Sequence, residues 1–179
     1  MDSIPSVEEF LQERANSTVA LTGHRPPKLG GYDPSNSIAR GVRMQLRTLI
    51  QTLHPTTKFI AGCALGADTI WAEEILAVER FLTLAMPYPG FGTNWPKPSL
   101  VALRNHATRA ARTVYVSNDP EPSSPRYIYA DLLQKRNIWM VDNCDILISV
   151  WDGSPGGTAN CVRYAESRGV PIINVPVRS

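Results

Sequence analysis

Short, continuous apolar runs alternate along the chain with longer segments in which apolar residues recur at helical spacing. The run at 81–86 (Phe-Leu-Thr-Leu-Ala-Met) contains five apolar residues and a single threonine. Such a continuous apolar run is typical of a strand that is buried on both faces of a sheet. In the segment that follows the first strand, Ile38, Val42, Leu46 and Ile50 lie on one side of a helix. This alternation predicts an α/β fold of the doubly wound class, a mostly parallel sheet with helices on both faces.

The same pattern places each element. The predicted strands cover residues 18–22, 59–61, 81–86, 113–117, 145–151 and 170–175. The predicted helices cover residues 38–53, 67–80, 99–111, 127–143 and 157–168. A capping box at residues 6–9 adds a short helix over 6–15. We therefore divide the chain into an N-terminal helix and lead-in, 1–17, and a single domain, 18–179.

Two glycine-rich turns stand between a predicted strand and a predicted helix, at residues 62–68 (Gly-Cys-Ala-Leu-Gly-Ala-Asp) and 152–158 (Asp-Gly-Ser-Pro-Gly-Gly-Thr). Glycine lets a ligand approach the backbone, and a helix N-terminus offers unpaired N–H groups and a positive dipole end. Both turns therefore predict phosphate contacts. The residues expected to make them are Gly62, Gly66, Asp68, Gly156, Gly157 and Thr158.

Four loops follow strands, and in a parallel sheet such loops meet at one edge, where ligands bind. Arg25 in the first loop has the fork geometry that suits a phosphate, and Asp152 at a strand end suits a ribose hydroxyl. The loop 87–98 carries Tyr88, Phe91 and Trp95, which either stack on a base or pack on their own domain. The sequence alone leaves both readings open.

Composition narrows the classes of partner. The chain has 179 residues, 43% hydrophobic and 19% charged, as in an ordinary globular domain. Its net charge of +2 and dispersed arginines do not favour nucleic acid. Three cysteines and three histidines show no metal-ligand spacing, so we predict no metal and no cofactor. Free cysteines, no secretory signal and no apolar run of about 18 residues predict a cytoplasmic protein without a membrane span.

Four segments, taken in order, resemble the SLOG superfamily, a Rossmann-like group that includes the Lonely Guy phosphoribohydrolases and the Smf DNA-processing proteins. They look most similar to its YpsA-type branch of small bacterial and phage proteins. The segments are residues 22–25 (Thr-Gly-His-Arg), 62–68, 136–142 and 152–158, and the resemblance runs from about residue 18 to 176. It implies a nucleotide or nucleotide-derived ligand, and in some members cleavage of an N-glycosidic bond. It adds Gly23, His24 and Arg136 to the expected ligand-binding residues.

One position departs from the family pattern. In the Lonely Guy pattern a glutamate follows the glycine-rich turn, three residues after the threonine, and acts at the anomeric carbon. In this chain the third residue after Thr158 is Cys161. A thiol with an ordinary pKa of ~8.5 is mostly protonated at pH 7 and does not stabilise an oxocarbenium-like centre as a carboxylate does. The sequence therefore favours a binding protein, a sensor or sequestering module for a nucleotide.

Two other functions stay open. The first is a nucleotide N-glycosidase, a hydrolase that releases a free base through another group, with Glu73, Glu74, Asp68 and His24 as candidates. For the two glutamates, a salt bridge on a helix face is the competing interpretation. The second is single-stranded DNA binding, as in the Smf branch. Homo-oligomerisation is also left open.

Overall fold

The computed structural model describes residues 14–118 and 126–177. The helix predicted over 6–15 lies outside the described residues except at its end. The strands are β1 (Thr18–Gly23), β2 (Lys58–Ala61), β3 (Leu82–Met86), β4 (Arg112–Tyr115), β5 (Ile146–Val150) and β6 (Ile172–Val175). The helices are α1 (Ser37–Thr52), α2 (Ala67–Ala77), α3 (Lys97–Arg109), α4 (Arg126–Asp142) and α5 (Gly157–Ser167).

The strands form one sheet in the order β4-β3-β2-β1-β5-β6, and every neighbouring pair is parallel. The chain builds outward from β1 to β4, then returns to start β5 on the other side of β1. The order of the strands therefore reverses between β1 and β5, where Gly23 is paired with Val150. In open α/β sheets this reversal opens a crevice at the carboxyl ends of the strands.

Helices cover both faces of the sheet. Alternate residues of β1 divide between two apolar cores: Val19 and Leu21 pack with α1 and α2, whereas Ala20 packs with α4 and α5. All five residues of β3 and of β5 are buried, as the continuous apolar runs predict. The doubly wound, Rossmann-like α/β fold predicted from the sequence is confirmed.

Element ends differ slightly from the sequence prediction. The helix predicted to reach residue 80 ends at Ala77, because Glu79 adopts a φ of 54° and the backbone N–H of Arg80 returns to the carbonyl of Ile75 at 3.2 Å. The start of α1 is set by Asn36, whose side chain accepts a hydrogen bond from the backbone N–H of Ala39 at 2.9 Å. Among the described residues, no helix is both long and apolar enough to cross a membrane.

Candidate functional site

The loops after β1 and β5 are joined at the crevice by His24 and Asp152. The backbone N–H of His24 donates to the carbonyl of Val150 at 3.0 Å, which continues the strand pairing into the loop. The His24 side chain is only 5% exposed, and its Nε2 lies 2.7 Å from Oδ1 of Asp152. Hydrogen bonds from the Ser154 hydroxyl and backbone N–H, and then from His24, hold the pKa of Asp152 well below its usual range. Asp152 is therefore an ionised acceptor at neutral pH.

The second glycine turn is ordered by its own side chains. The indole Nε1 of Trp151 donates to the carbonyl of Ser154 at 2.7 Å, and the backbone N–H of Ser154 donates to Asp152 at 2.9 Å. Lys28 reaches the same turn from the loop after β1, because its Nζ donates to the Ser154 hydroxyl. Sequence reasoning missed Lys28, since it stands in a Gly- and Pro-rich connection with nothing in the sequence to connect it to residue 154.

The N-terminus of α5 opens away from the protein. Gly156 occupies the N-cap position at a φ of 147°, with no side chain capping the helix. A Cβ built on Gly153, Gly156 or Gly157 would meet no atom within 4 Å among the described residues. Thr158, the next residue, is half-buried. The first backbone N–H groups of this helix therefore face space that an anion can enter.

The first glycine turn has a different setting, because protein atoms lie against its glycines. A Cβ on Gly66, at a φ of 103°, would lie 2.4 Å from the carbonyl oxygen of His24, and that oxygen already accepts the backbone N–H of Ala67 at 3.0 Å. A Cβ on Gly62 would lie 1.5 Å from Nη1 of Arg136. Gly23, at the end of β1, similarly lies against Ala67. In this turn the missing side chains make room for neighbouring segments of the chain.

Arg136 and Asp68 form a buried ion pair under the crevice. The two residues are 5% and 4% exposed, and Nη1 of Arg136 lies 3.1 Å from Oδ2 of Asp68. The same carboxylate oxygen accepts the backbone N–H of Ala64 at 3.1 Å. The Nε of Arg136 is buried without a hydrogen-bond partner in the described part of the chain. The pair connects α2, on one face of the sheet, with α4 on the other.

Cys161, which stands where the Lonely Guy pattern has a glutamate, is fully buried. It packs with Ala20 and Leu147 in the core beneath α4 and α5. Burial raises the pKa of its thiol to about 11, although a hydrogen bond with Thr22 acts in the opposite direction. The group is therefore a protonated, core-packed thiol at neutral pH.

Glu73 and Glu74 are engaged in ion pairs between α1 and α2. Arg43 contacts both carboxylates, with Nη2 2.5 Å from Glu73 and Nη1 2.7 Å from Glu74. Arg47 adds a third contact, its Nε lying 2.6 Å from Glu74. Burial alone would raise the pKa of Glu74, but the hydrogen bonds from Arg47 and Arg43 lower it overall. These contacts match the salt-bridge interpretation of the two glutamates.

The aromatic residues of the loop 87–98 lie in different surroundings. Tyr88 and Phe91 are 4% and 3% exposed, and their rings make an edge contact with centroids 5.7 Å apart. Trp95 packs against Phe91 at 5.1 Å but is only half-buried, and it lines a cavity of about 260 Å³ beside α2 and α3. Arg25, by contrast, is exposed.

A relative in Bacillus subtilis (strain 168) identifies the family. Over 118 residues the chain is 47% identical to the uncharacterized SPbeta prophage-derived protein YoqJ, a match that covers 61% of this chain and 69% of YoqJ. The chain belongs to the YoqJ family. No family model matches the sequence.

Solved structures show the fold of this YoqJ relative. DNA processing protein A from Helicobacter pylori aligns with a TM-score of 0.62 at 16% identity, over 99% of this chain and 80% of that one. DNA processing protein A from Streptococcus pneumoniae aligns with a TM-score of 0.63 at 15% identity, over 93% of this chain but about half, 52%, of that one. The protein TM1055 aligns with a TM-score of 0.56 at 16% identity, over 87% and 72%.

At these identities the similarity concerns the fold alone, and that fold is Rossmann-like. The Helicobacter pylori protein binds single-stranded DNA.

Proposed function

We propose that this YoqJ relative binds a nucleotide or nucleotide-derived metabolite and acts as a cytoplasmic sensor or sequestering protein for it. The observation that carries the proposal is the N-terminus of α5, which lies at the strand-order reversal, lacks a side-chain cap and faces open space at Gly153, Gly156 and Gly157. Backbone N–H groups at such a helix end suit an anionic oxygen, above all a phosphate.

Charged side chains around this helix end support a phosphate as the anion. The ammonium group of Lys28 is already held at the second turn by Ser154, and exposed Arg25 stands in the same loop as Lys28. Hydrogen bonds between charged donors and phosphate oxygens are stronger than neutral ones. Ionised Asp152, held by His24, provides an acceptor beside them that suits a sugar hydroxyl.

The buried Arg136–Asp68 ion pair contributes to the proposed site indirectly. Its guanidinium lies against Gly62 and its carboxylate accepts the N–H of Ala64, so the pair shapes the first turn from beneath. The first turn in turn packs on the carbonyl of His24 through Gly66 and Ala67. We infer that these residues hold the loop after β1 in position and leave the phosphate contacts to the second turn.

A charge reversal at the helix end tests the proposal. Gly157→Asp places a carboxylate where the phosphate oxygens would lie, so binding of nucleoside monophosphates and diphosphates should weaken by at least about tenfold. Isothermal titration calorimetry with a panel of these nucleotides measures the loss. Ser167→Asp is the matched control, because it adds the same charge to the exposed far end of the same helix. Unchanged affinity in Gly157→Asp would contradict a phosphate site at α5.

Single-stranded DNA is a second candidate, favoured by the similarity in fold to the Helicobacter pylori DNA processing protein A. The same helix end and the same two cations would then contact a backbone phosphate. Fluorescence anisotropy with a labelled oligonucleotide separates the candidates. A DNA-binding protein should bind the oligonucleotide more tightly than the mononucleotides and lose affinity steeply as salt is added. A mononucleotide-binding protein should show the opposite preference.

A further inference from the structure

A cavity of about 260 Å³ lies beside the first glycine turn, at the carboxyl edge of the sheet. It is lined by residues of the segment 26–34, of α1, of the first glycine turn and the start of α2, and of α3 from Pro98 to His106. None of its lining residues belongs to the second glycine turn at 152–158. Ligand cavities commonly measure about 300–1,000 Å³, so this one suits a single ring system better than a whole nucleotide.

The apolar wall of the cavity is packed against residues behind it. Trp95 lines the cavity and makes an edge contact with the Phe91 ring, with the ring centroids 5.1 Å apart. Gly92, at a φ of 86°, allows this packing, because a Cβ there would lie 2.8 Å from Leu103 and 3.2 Å from the indole. Leu103 also lines the cavity. Trp95 is therefore a packed aromatic side chain in the cavity wall on which a ring could stack.

Two polar side chains in the lining give the cavity hydrogen-bonding character. Glu73 is oriented by Arg43, which contacts Oε2, while Oε1 accepts no hydrogen bond within the described residues. Burial lowers the pKa of His106, only partly opposed by the nearby Glu73 carboxylate, so its imidazole is neutral at pH 7. A neutral imidazole supplies one donor and one acceptor.

We propose that this cavity binds a planar heteroaromatic ring of nucleobase size, stacked on Trp95 and donating an N–H group to Glu73. The apolar slot favours a flat ring, and the carboxylate favours a ring with an amino or ring N–H donor. Tyr32, 73% exposed and part of the lining, provides a second ring at the entrance. The proposal does not rest on the phosphate site, since no residue of the turn 152–158 lines the cavity.

Nucleosides test the cavity without involving a phosphate. Adenosine, guanosine, cytidine and uridine are titrated into the protein by calorimetry, and at least one should bind saturably. Ala102→Phe fills the cavity from α3 and should weaken that binding by about tenfold or more. Val101→Phe is the matched control, because Val101 is the neighbouring residue, is 47% exposed and does not line the cavity. The control should bind the nucleoside as the wild-type protein does.

Nitrogen-15 NMR on the unmodified chain locates the ligand independently of any variant. The indole N–H signal of Trp95 should shift on nucleoside addition, whereas that of Trp151, in the other loop, should not. No saturable nucleoside binding, equal binding by Ala102→Phe, or shifts confined to Trp151 would overturn the proposal. Gly157→Asp should leave nucleoside affinity unchanged, so a failure of the phosphate site and a failure of the cavity give different results.

Discussion

Arg136 is the buried charge around which the loops at the carboxyl edge are arranged. Its guanidinium lies against Gly62 and pairs with Asp68, whose carboxylate in turn accepts the N–H of Ala64. Removing one partner of a buried pair leaves the other charge uncompensated, which commonly costs about 3–5 kcal/mol. A side chain added at Gly62 should therefore change the stability of the protein by displacing the Arg136 guanidinium.

Gly62→Ala should lower the free energy of unfolding by about 2–4 kcal/mol, because its methyl group would displace the guanidinium from Asp68. Gly157→Ala is the control: its methyl group would meet no atom of the described residues within 4 Å, so stability should change by no more than about 0.5 kcal/mol. Urea unfolding of both variants measures the difference. Equal stability in the two would show that Arg136 moves aside without losing its partner.

The sequence predicted that Gly62 and Gly66 matter but not what lies against them. Glycine in a turn is a local signal, whereas its neighbours here come from distant segments: Arg136 from α4 and the carbonyl of His24 from the loop after β1. Lys28 shows the same limit, since its contact with Ser154 joins residues far apart in sequence. Local pattern identifies the residues, and tertiary structure decides their neighbours.

At the scale of elements, α1 and α2 are joined by a network of ion pairs as well as by apolar packing. Glu74 is 3% exposed and receives hydrogen bonds from both Arg43 and Arg47 of the other helix. Arg43 also pairs with Glu73, and both residues line the cavity. The ion-pair network therefore forms part of one wall of the proposed ring site.

Glu74→Gln should destabilise the protein by about 1–3 kcal/mol at pH 7, because two arginines lose a charged acceptor. The folded-state pKa of Glu74 is lowered, so its contribution is present above the unfolded value of about 4.3 and is lost as pH falls through the folded value. The difference between variant and wild type should therefore shrink below about pH 4. Glu166→Gln, at an exposed position on α5, should show no comparable difference in the same urea titrations.

Element positions followed from local periodicity because buried parallel strands and amphipathic helices carry repeating signals. The ends of the elements were predicted less accurately than their positions. The last turn predicted for α2 is absent because Glu79 takes a left-handed conformation, which neither its type nor its neighbours indicate. The ion pairs between α1 and α2 could not be assigned from the sequence for the same reason as the Lys28 contact. The packing of both helices on one face of the sheet decides which of their side chains meet.

At the scale of the molecule, one fold supports several chemistries, so the fold does not decide the function. Continuous apolar strands and the reversal between β1 and β5 predict where a ligand binds. What happens to that ligand depends on single side chains at this edge. At the position where the Lonely Guy pattern that the sequence resembles has a glutamate, this chain has Cys161.

The last prediction concerns that position. Cys161 is fully buried and its pKa is raised to about 11, so it supplies no negative charge at neutral pH. Electrostatic stabilisation of a developing charge is commonly worth several kcal/mol, about 10²–10³ in rate for one group. Ribo- and deoxyribonucleoside monophosphates incubated with the protein should therefore remain intact by chromatography. Release of free base would contradict the proposed binding function and direct attention to Asp68 and His24.

Cys161→Glu should destabilise the fold by about 3–5 kcal/mol, because it buries a carboxylate among Ala20 and Leu147, whereas Cys161→Ala should cost much less. A stable Cys161→Glu protein that cleaves nucleotides would show instead that this helix can turn its side chain toward the crevice.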